Sequence, residues 1–410
     1  MYSEGNLNLE TPRFKSRLAW AEGRLRTGLR GAPAACLTGA PLTTHPSCLC
    51  LTSGVREMPP SPSTYDPTSL RPRAALRRAL AGRRVLVTGA ALDGVGRVLA
   101  HIHALHGAEV ALADVLPLEA VAAECAALGA ARVVSCRFDA AVEGDSARMV
   151  REACAGLTGG GLDAVYLNHN VGVFCPMLEQ PELVRTARRL MAINFFAYAE
   201  IADAAMPFLL AAAAAAGADA GAAPPSAIVA ISSLAAVVPM LDTHAYAASK
   251  AAIASWFSAL RIELRRDAAR ARLLSVHIMN FSAVRTATLV RALGGEGGPN
   301  KHVLALAADP VDAAFATIEA CRLRRPVSYF PASVGILPTI YAIWPWLARR
   351  IVSSGVVKAV AVGTSNPAGA AVVAAATAAA AAALPAAAAA VPAATEGAAA
   401  GAQDAAAKAR

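Results

Sequence analysis

Short apolar runs recur at 84–88, 109–113, 132–136, 163–168, 227–232, 273–279 and 327–330, and longer amphipathic stretches separate them. The runs read as buried strands and the stretches as helices packed over them. Their alternation predicts an α/β fold: one doubly wound parallel sheet of about seven strands with helices on both faces. A unit of about 250 residues commonly folds as one domain, and residues 81–332 are assigned to it. Ligands of such a sheet sit beyond the carboxyl ends of the strands, where Gly89, Asp114, Asn168 and Ser233 all fall.

The first run, Arg84-Val85-Leu86-Val87, leads directly into Thr88-Gly89-Ala90-Ala91-Leu92-Asp93-Gly94-Val95-Gly96 and then the helical pattern of Arg97 to His106. Glycines at a strand-to-helix turn let backbone approach a pyrophosphate, and the helix N-terminus offers unpaired N–H groups with a positive dipole end. The second run ends in Asp114, about 20 residues on, where a carboxylate accepts hydrogen bonds from the adenosine ribose and repels a 2′-phosphate. The next residue is Val115 rather than an arginine, and Asp93 adds negative charge to the loop. NAD(H) is therefore expected in preference to NADP(H), with reduction by NADPH requiring a basic residue elsewhere. The other reading of Asp114 is a helix N-cap before Pro117.

Downstream, Tyr246 and Lys250 stand four residues apart, a spacing that puts both side chains on one helix face. An ammonium beside a phenol favours the phenolate, so Lys250 is expected to lower the Tyr246 pKa toward the working range of an acid/base catalyst. Ser233 ends the strand-like run Ala227-Ile228-Val229-Ala230-Ile231, where its hydroxyl can bond the same substrate oxygen.

From about Arg83 to Phe330 the chain resembles the short-chain dehydrogenase/reductase family, and within it most the 11β-hydroxysteroid dehydrogenase type 1 group. The resemblance is carried by Gly161-Leu162-Asp163-Ala164-Val165-Tyr166-Leu167-Asn168-His169-Asn170, Ala192-Ile193-Asn194-Phe195, Ile231-Ser232-Ser233-Leu234-Ala235 and Ala245-Tyr246-Ala247-Ala248-Ser249-Lys250, in that order. It implies a Rossmann-like fold and a catalytic set of Asn194, Ser233, Tyr246 and Lys250. In that set Tyr246 is the acid/base, Lys250 binds the nicotinamide ribose and tunes Tyr246, Ser233 orients the substrate oxygen, and Asn194 supports a water in the proton relay. It also implies cofactor contacts from Thr88, Gly89, Gly94, Val95, Gly96, Asp114, Asp139, Asn168 and Thr286, besides Tyr246 and Lys250. Asp139 matches the adenine contact, Asn168 lines the cofactor site at a strand end, and Thr286 follows the sixth strand. His169 is read as a packed or hydrogen-bonded residue.

Three departures from the family pattern stand out. Four residues, not three, separate Gly89 from Gly94; Phe281-Ser282 replaces Pro-Gly after the sixth strand; and Asp114 stands where the type 1 steroid enzymes resemble NADP users with a basic residue nearby. The third points to oxidation as the preferred direction. The leading expectation is an NAD(P)(H)-dependent oxidoreductase that interconverts a secondary alcohol and a ketone on an apolar, steroid- or lipid-like substrate. The alternative is a membrane-associated binding or scaffold protein that kept the fold and lost efficient catalysis.

The ends of the chain add less. Residues 1–80 carry Arg13, Lys15, Arg17, Arg24, Arg26 and Arg30 with few acids, which reads as an organellar targeting segment, a disordered extension, or sequence upstream of the start codon in use. Residues 333–362 begin with an apolar segment bearing Tyr341, Trp344 and Trp346 before Arg349 and Arg350. That segment suits a peripheral membrane contact over 334–350, a pocket cover or a dimer contact, while Pro338 and Pro345 are expected to break it. Residues 363–410 form an alanine-rich tail of low complexity, and 211–225 a surface loop or helix extension. Eight scattered cysteines suggest neither a disulfide framework nor a zinc site, and no other metal site is read, so reduced, intracellular thiols in a membrane-associated or organellar protein are the default. The net charge of +9 lacks the aromatic or helical motifs of a nucleic-acid face. The helix of Tyr246, with Trp256 and Phe257 beyond it, resembles the one that pairs subunits in family dimers, so a homodimer is expected.

Overall fold

The computed structural model describes residues 65–180, 182–216, 225–293, 301–305 and 307–346. The remainder of the N-terminal extension and the alanine-rich tail lie outside the described residues.

Seven strands form one parallel sheet in the order β3-β2-β1-β4-β5-β6-β7. They are β1 Arg84–Thr88, β2 Glu109–Asp114, β3 Arg132–Arg137, β4 Ala164–Leu167, β5 Ser226–Ser233, β6 Leu274–Phe281 and β7 Val327–Phe330. Each parallel pairing requires a crossover, and helices supply the crossovers. A helix α1 (Ala74–Leu80) precedes the sheet; α2 (Val95–Leu105), α3 (Glu119–Leu128) and α4 (Asp145–Gly156) follow the first three strands. Beyond β4 come α5 (Leu183–Met191), a π turn (Ala192–Phe196) and α6 (Ala197–Ala215); beyond β5 come α7 (His244–Leu264) and α8 (Ala268–Leu273). After β6 the chain forms α9 (Ala287–Ala292), α10 (Lys301–Ala305) and α11 (Pro310–Arg322), and after β7 a 3₁₀ turn leads into α12 (Leu337–Ile343).

The two-residue period of the strands divides the core into two layers. Val85 and Val87 face Val98, Leu99 and Ile102 of α2 and Ala313, Ala314 and Ile318 of α11. Leu86, between them in sequence, joins Met149 and Val150 of α4, Ile201 of α6 and Ile253 and Phe257 of α7 on the other side. The run Leu183–Ala215 is long and apolar enough to cross a membrane by length and composition, yet Tyr198, Ile201, Ala202, Ala205 and Leu209 are buried in the layer against the sheet.

Two boundaries differ from expectation. The folded unit begins before residue 81: Leu70, Leu76 and Leu80 are buried in the core, and the Arg73 guanidinium lies 3.7 Å from the Phe315 ring centroid. The arginine-rich composition of this stretch concealed three well-spaced leucines. At the other end Pro338 does not break the apolar segment. It lies in the first turn of α12, where its missing N–H costs nothing, and the helix stops at Ile343, just before Trp344 and Pro345.

At the amino ends of the central strands, Arg84 and Asp163 tie β1 to the start of β4. Arg84 donates from Nε (3.0 Å) and Nη2 (2.9 Å) to the two carboxylate oxygens, and its backbone N–H donates to Asp163 Oδ2 (2.8 Å). Burial alone would raise the Asp163 carboxyl, but the Arg84 hydrogen bonds outweigh it and hold the group below the usual carboxylate range. A lowered native pKa adds stability above the unfolded value, about 4, and that stability is lost as pH falls through the native pKa. Asp163→Asn should therefore cost about 1–3 kcal/mol at pH 7, and thermal melts of the two proteins should converge as pH is lowered toward 3. A difference independent of pH would contradict this account of the pair.

Candidate active site

The site is built where β1, β4 and β5 end. Thr88 is buried at the end of β1, and its hydroxyl accepts from the backbone N–H of Asn168 (2.9 Å) and of His169 (3.3 Å). Asn168 returns the contact: Nδ2 donates to the carbonyls of Thr88 and Gly89 (both 3.2 Å). Gly89 adopts φ +69°, and a Cβ there would stand 2.7 Å from the Cα of His169. A Cβ on Gly96, in the first turn of α2, would meet the Gly89 carbonyl at 2.2 Å and Asn168 Nδ2 at 2.5 Å. No side chain other than hydrogen fits either place.

The extra loop residue is absorbed without opening this approach. Asp93 is buried, its carbonyl accepts from the Ala287 N–H (3.0 Å), and its carboxylate acts electrostatically on His101 on the far side of the loop. There Arg97 pairs with Glu124 of α3. Thr286 caps α9, accepting from the Leu289 N–H (3.2 Å), and its side chain rests on Gly94. Val95 opens α2 and is buried.

Asp114 does not cap a helix, since α3 starts at Glu119 with Leu118 before it. Its carboxylate accepts instead from the backbone N–H of Ala91 (3.0 Å) and Leu116 (3.1 Å), holding the glycine loop to the end of β2. Burial raises its pKa against the lowering effect of those amides and of Arg137. Asp139 braces the next turn, accepting from the Ala141 N–H (2.9 Å). Asp114, Phe138, Asp139, Asn168 and His169 line a cavity of about 340 Å³ between the glycine loop and α5.

On the other side of Asn168 a second cleft is lined by Gly94, Gly96, Tyr246, Lys250, Phe281 and Thr286. Ser233 acts on the Tyr246 phenol, while its own Oγ accepts from the Ala235 N–H (3.2 Å). Lys250 is 1% exposed, and Nζ donates to the Ile231 carbonyl at 3.0 Å. The ammonium lies 5.5 Å from the Tyr198 ring centroid and 5.8 Å from that of Tyr246. The expected lowering of the tyrosine pKa is reversed. Burial raises the Tyr246 phenol, with a smaller opposing effect from Ser233, and burial lowers Lys250 to about 7. With no carboxylate beside it, the low-dielectric setting favours the neutral form of each group.

Asn194 lies inside the π turn, where the Ala197 N–H reaches back five residues to the Ala192 carbonyl. Its amide clamps the backbone of Val171: Oδ1 accepts from the Val171 N–H and Nδ2 donates to the Val171 carbonyl, both at 2.9 Å, with a further bond to Ser249 Oγ (3.0 Å). Its role here is to join the π turn to the segment after β4. Position in sequence did not disclose Phe174, whose ring stands edge-on to Tyr246 (5.4 Å), nor Asn170, Gly172 and Leu289 in the cleft wall. Asn170 closes the Leu-Asn-His-Asn motif, a signal that was available; Phe174 sits in an irregular loop that carries none. Phe281, in place of the usual Pro-Gly, packs edge-on against Phe330 (6.2 Å).

Residues 83–292 match the model of the short chain dehydrogenase family. The chain belongs to this family. Its members are oxidoreductases of CH–OH groups that use a nicotinamide cofactor. Over 255 residues the chain is 32% identical to a hydroxysteroid 11-beta-dehydrogenase 1-like protein of Xenopus tropicalis, covering 62% of this chain and 80% of the relative. A protein of the same name from Gallus gallus is 36% identical over 187 residues, 45% of this chain and 59% of the relative. A short chain dehydrogenase/reductase from Burkholderia phymatum, solved in complex with NAD, shares the fold with a TM-score of 0.52 at 23% identity, over 64% of this chain and 92% of that one.

The residues present fit a dinucleotide. The N-terminus of α2 has no side-chain cap, so its first amides are open to an anion, and the buried Lys250 ammonium has no carboxylate partner among the described residues. Gly96→Ala should abolish this fit: a titration with dinucleotide should show at least about a hundredfold weaker binding, and unchanged affinity would contradict the close approach.

Proposed function

We propose that the chain interconverts a secondary alcohol and a ketone on an apolar, steroid- or lipid-like substrate, with Tyr246 as the acid/base and NAD(H) preferred over NADP(H). The observation that carries this reading is Ser233 acting on the Tyr246 phenol, with the buried Lys250 ammonium 5.8 Å from the Tyr246 ring centroid, beside a glycine cradle at the carboxyl end of the sheet. The nicotinamide, when bound, supplies the hydride donor or acceptor. Tyr246 passes a proton between its hydroxyl and the substrate oxygen, and Ser233 hydrogen-bonds the same oxygen. The raised phenol pKa keeps Tyr246 protonated at neutral pH, the form needed to deliver a proton to a ketone. Lys250, lowered to about 7, can follow the charge that develops on the phenol.

The apolar substrate is supported by Phe174, Phe281, Val284 and Leu289 around Tyr246 and by the names of the relatives. NAD(H) is supported by the Asp114 carboxylate in the adenine-side cavity. The 3₁₀ turn and α12 pack through Val334 and Leu337 onto Leu234 and Val238, just after Ser233, and leave Ile336, Ile343 and Trp346 exposed. This favours a segment that covers the pocket on one side and meets a membrane surface on the other. Exposed Phe196 in the π turn before α6 and Trp256 on α7 support a homodimer through α6 and α7. A binding protein without catalysis would draw on the longer glycine loop, the missing Pro-Gly and the extensions; the burial of Asp93 and the bond of its carbonyl to the Ala287 N–H weigh against the first of these.

Tyr246→Phe should lower turnover of a cyclic secondary alcohol by about a thousandfold or more while leaving the dissociation constant for the dinucleotide within about twofold. Undiminished turnover would refute the assignment of Tyr246.

A further inference from the structure

We propose that His169 is a positioning residue for this reaction: its imidazole ties the end of β1 to the π turn that carries Asn194, and so sets the proton-handling groups at a fixed place relative to the glycine cradle. The inference rests on the oxidoreductase reading and adds to it a residue that the reading does not use.

Nε2 of His169 lies 3.1 Å from the Ile193 carbonyl. A carbonyl only accepts, so Nε2 carries the hydrogen and Nδ1 is the acceptor, receiving the Thr88 hydroxyl at 2.8 Å. The ring is 8% exposed and is held edge-on by Phe138 (5.4 Å) and Tyr198 (4.8 Å), while the Tyr198 hydroxyl donates to the His169 carbonyl (3.0 Å). Two bridges therefore run between the same pair of segments: His169 to Ile193, and Val171 to Asn194. A π turn inserts one residue into the helical ladder, is rare and is found frequently at functional sites, and restraints of this kind keep it from relaxing to a regular helix. Loss of the first bridge frees the carbonyl next to Asn194 and allows its amide to rotate away from Val171 and Ser249. The backbone of His169 is also pressed against Gly89, so a shift is transmitted to the cradle as well.

The role requires a side chain that donates at one end and accepts at the other across this gap. Phenylalanine fills the ring volume and does neither; glutamine can do both; asparagine is too short to reach both partners. Burial, with the Lys250 charge adding to it, lowers His169 to about 3 against the opposing bond to Ile193, so the ring is neutral throughout the working range and transfers no proton.

Three variants of the full chain test this. His169→Phe should lower kcat about 10- to 100-fold with KM for the alcohol changed less than about threefold, because the reacting groups are displaced rather than the substrate released. His169→Gln should recover most of kcat with a pH profile of wild-type shape. If the phenylalanine variant does not fold, His169→Asn takes its place and should show the same loss. In the cofactor-free chain, amide exchange at the Val171 N–H should quicken by about tenfold or more in the Phe or Asn variant and by less in the Gln variant. Unchanged exchange with intact kcat would overturn the proposal, and so would a glutamine variant that loses an acidic limb of the pH profile, which would make the ring a proton carrier. Should the wild-type chain show neither turnover nor dinucleotide binding, the oxidoreductase reading fails, while the exchange result still decides whether His169 restrains the π turn.

Discussion

Everything at this site depends on how closely the backbone at the end of β1 is approached from both sides. The Gly89 carbonyl leaves no space for a side chain on Gly96, the segment after β4 leaves none on Gly89, and the Asn168 amide fills the angle between them. Van der Waals contact at this range fixes where α2 begins, and therefore where its uncapped amides point. The same contact fixes the start of the Asn168–Val171 segment, from which the Asn194 clamp hangs. The glycine loop and the Asn194 clamp are thus two ends of one packed unit, which explains how an extra residue in the loop is tolerated: Asp93 is buried without parting Gly89 from Gly96.

Burial sets the electrostatics of the site. A phenol and an ammonium placed in the same apolar surroundings both shift toward neutrality, so Tyr246 is a stronger proton holder and Lys250 a weaker one than in water. Two groups in this condition respond strongly to whatever charge enters the cleft, because the low-dielectric setting magnifies it. Lys250 keeps its place through the Ile231 carbonyl with the Tyr198 ring beside it, His169 stands edge-on to Tyr198, and Phe138 stands edge-on to His169.

Much of this was legible in the chain. The apolar runs located all seven strands, the half-exposed edge strands β3 and β7 included, because each run is short and bounded by turn residues, and the glycine loop and the Tyr-x-x-x-Lys spacing are local patterns whose geometry follows from the elements that bear them. What was not legible depends on partners distant in sequence. The sign of the Tyr246 shift follows from burial rather than from its neighbour Lys250. Asp114 looked like a ribose reader or a helix cap, yet its carboxylate also braces the loop through Ala91, a contact that no spacing rule announces. The leucines of residues 70–80 were hidden by the surrounding arginines, and Phe174 reaches Tyr246 from a loop with no periodic signal.

The proposed preference for NAD(H) places the ribose of the dinucleotide at Asp114, beside the glycine cradle at the end of β1. Titration of the full chain with NADH and with NADPH, followed by nicotinamide fluorescence, tests it most directly. Saturable binding of NADH at least about tenfold tighter than that of NADPH is expected, a difference of about 1.4 kcal/mol. Equal or tighter binding of NADPH would contradict the role given to Asp114, and binding of neither would contradict the cradle itself.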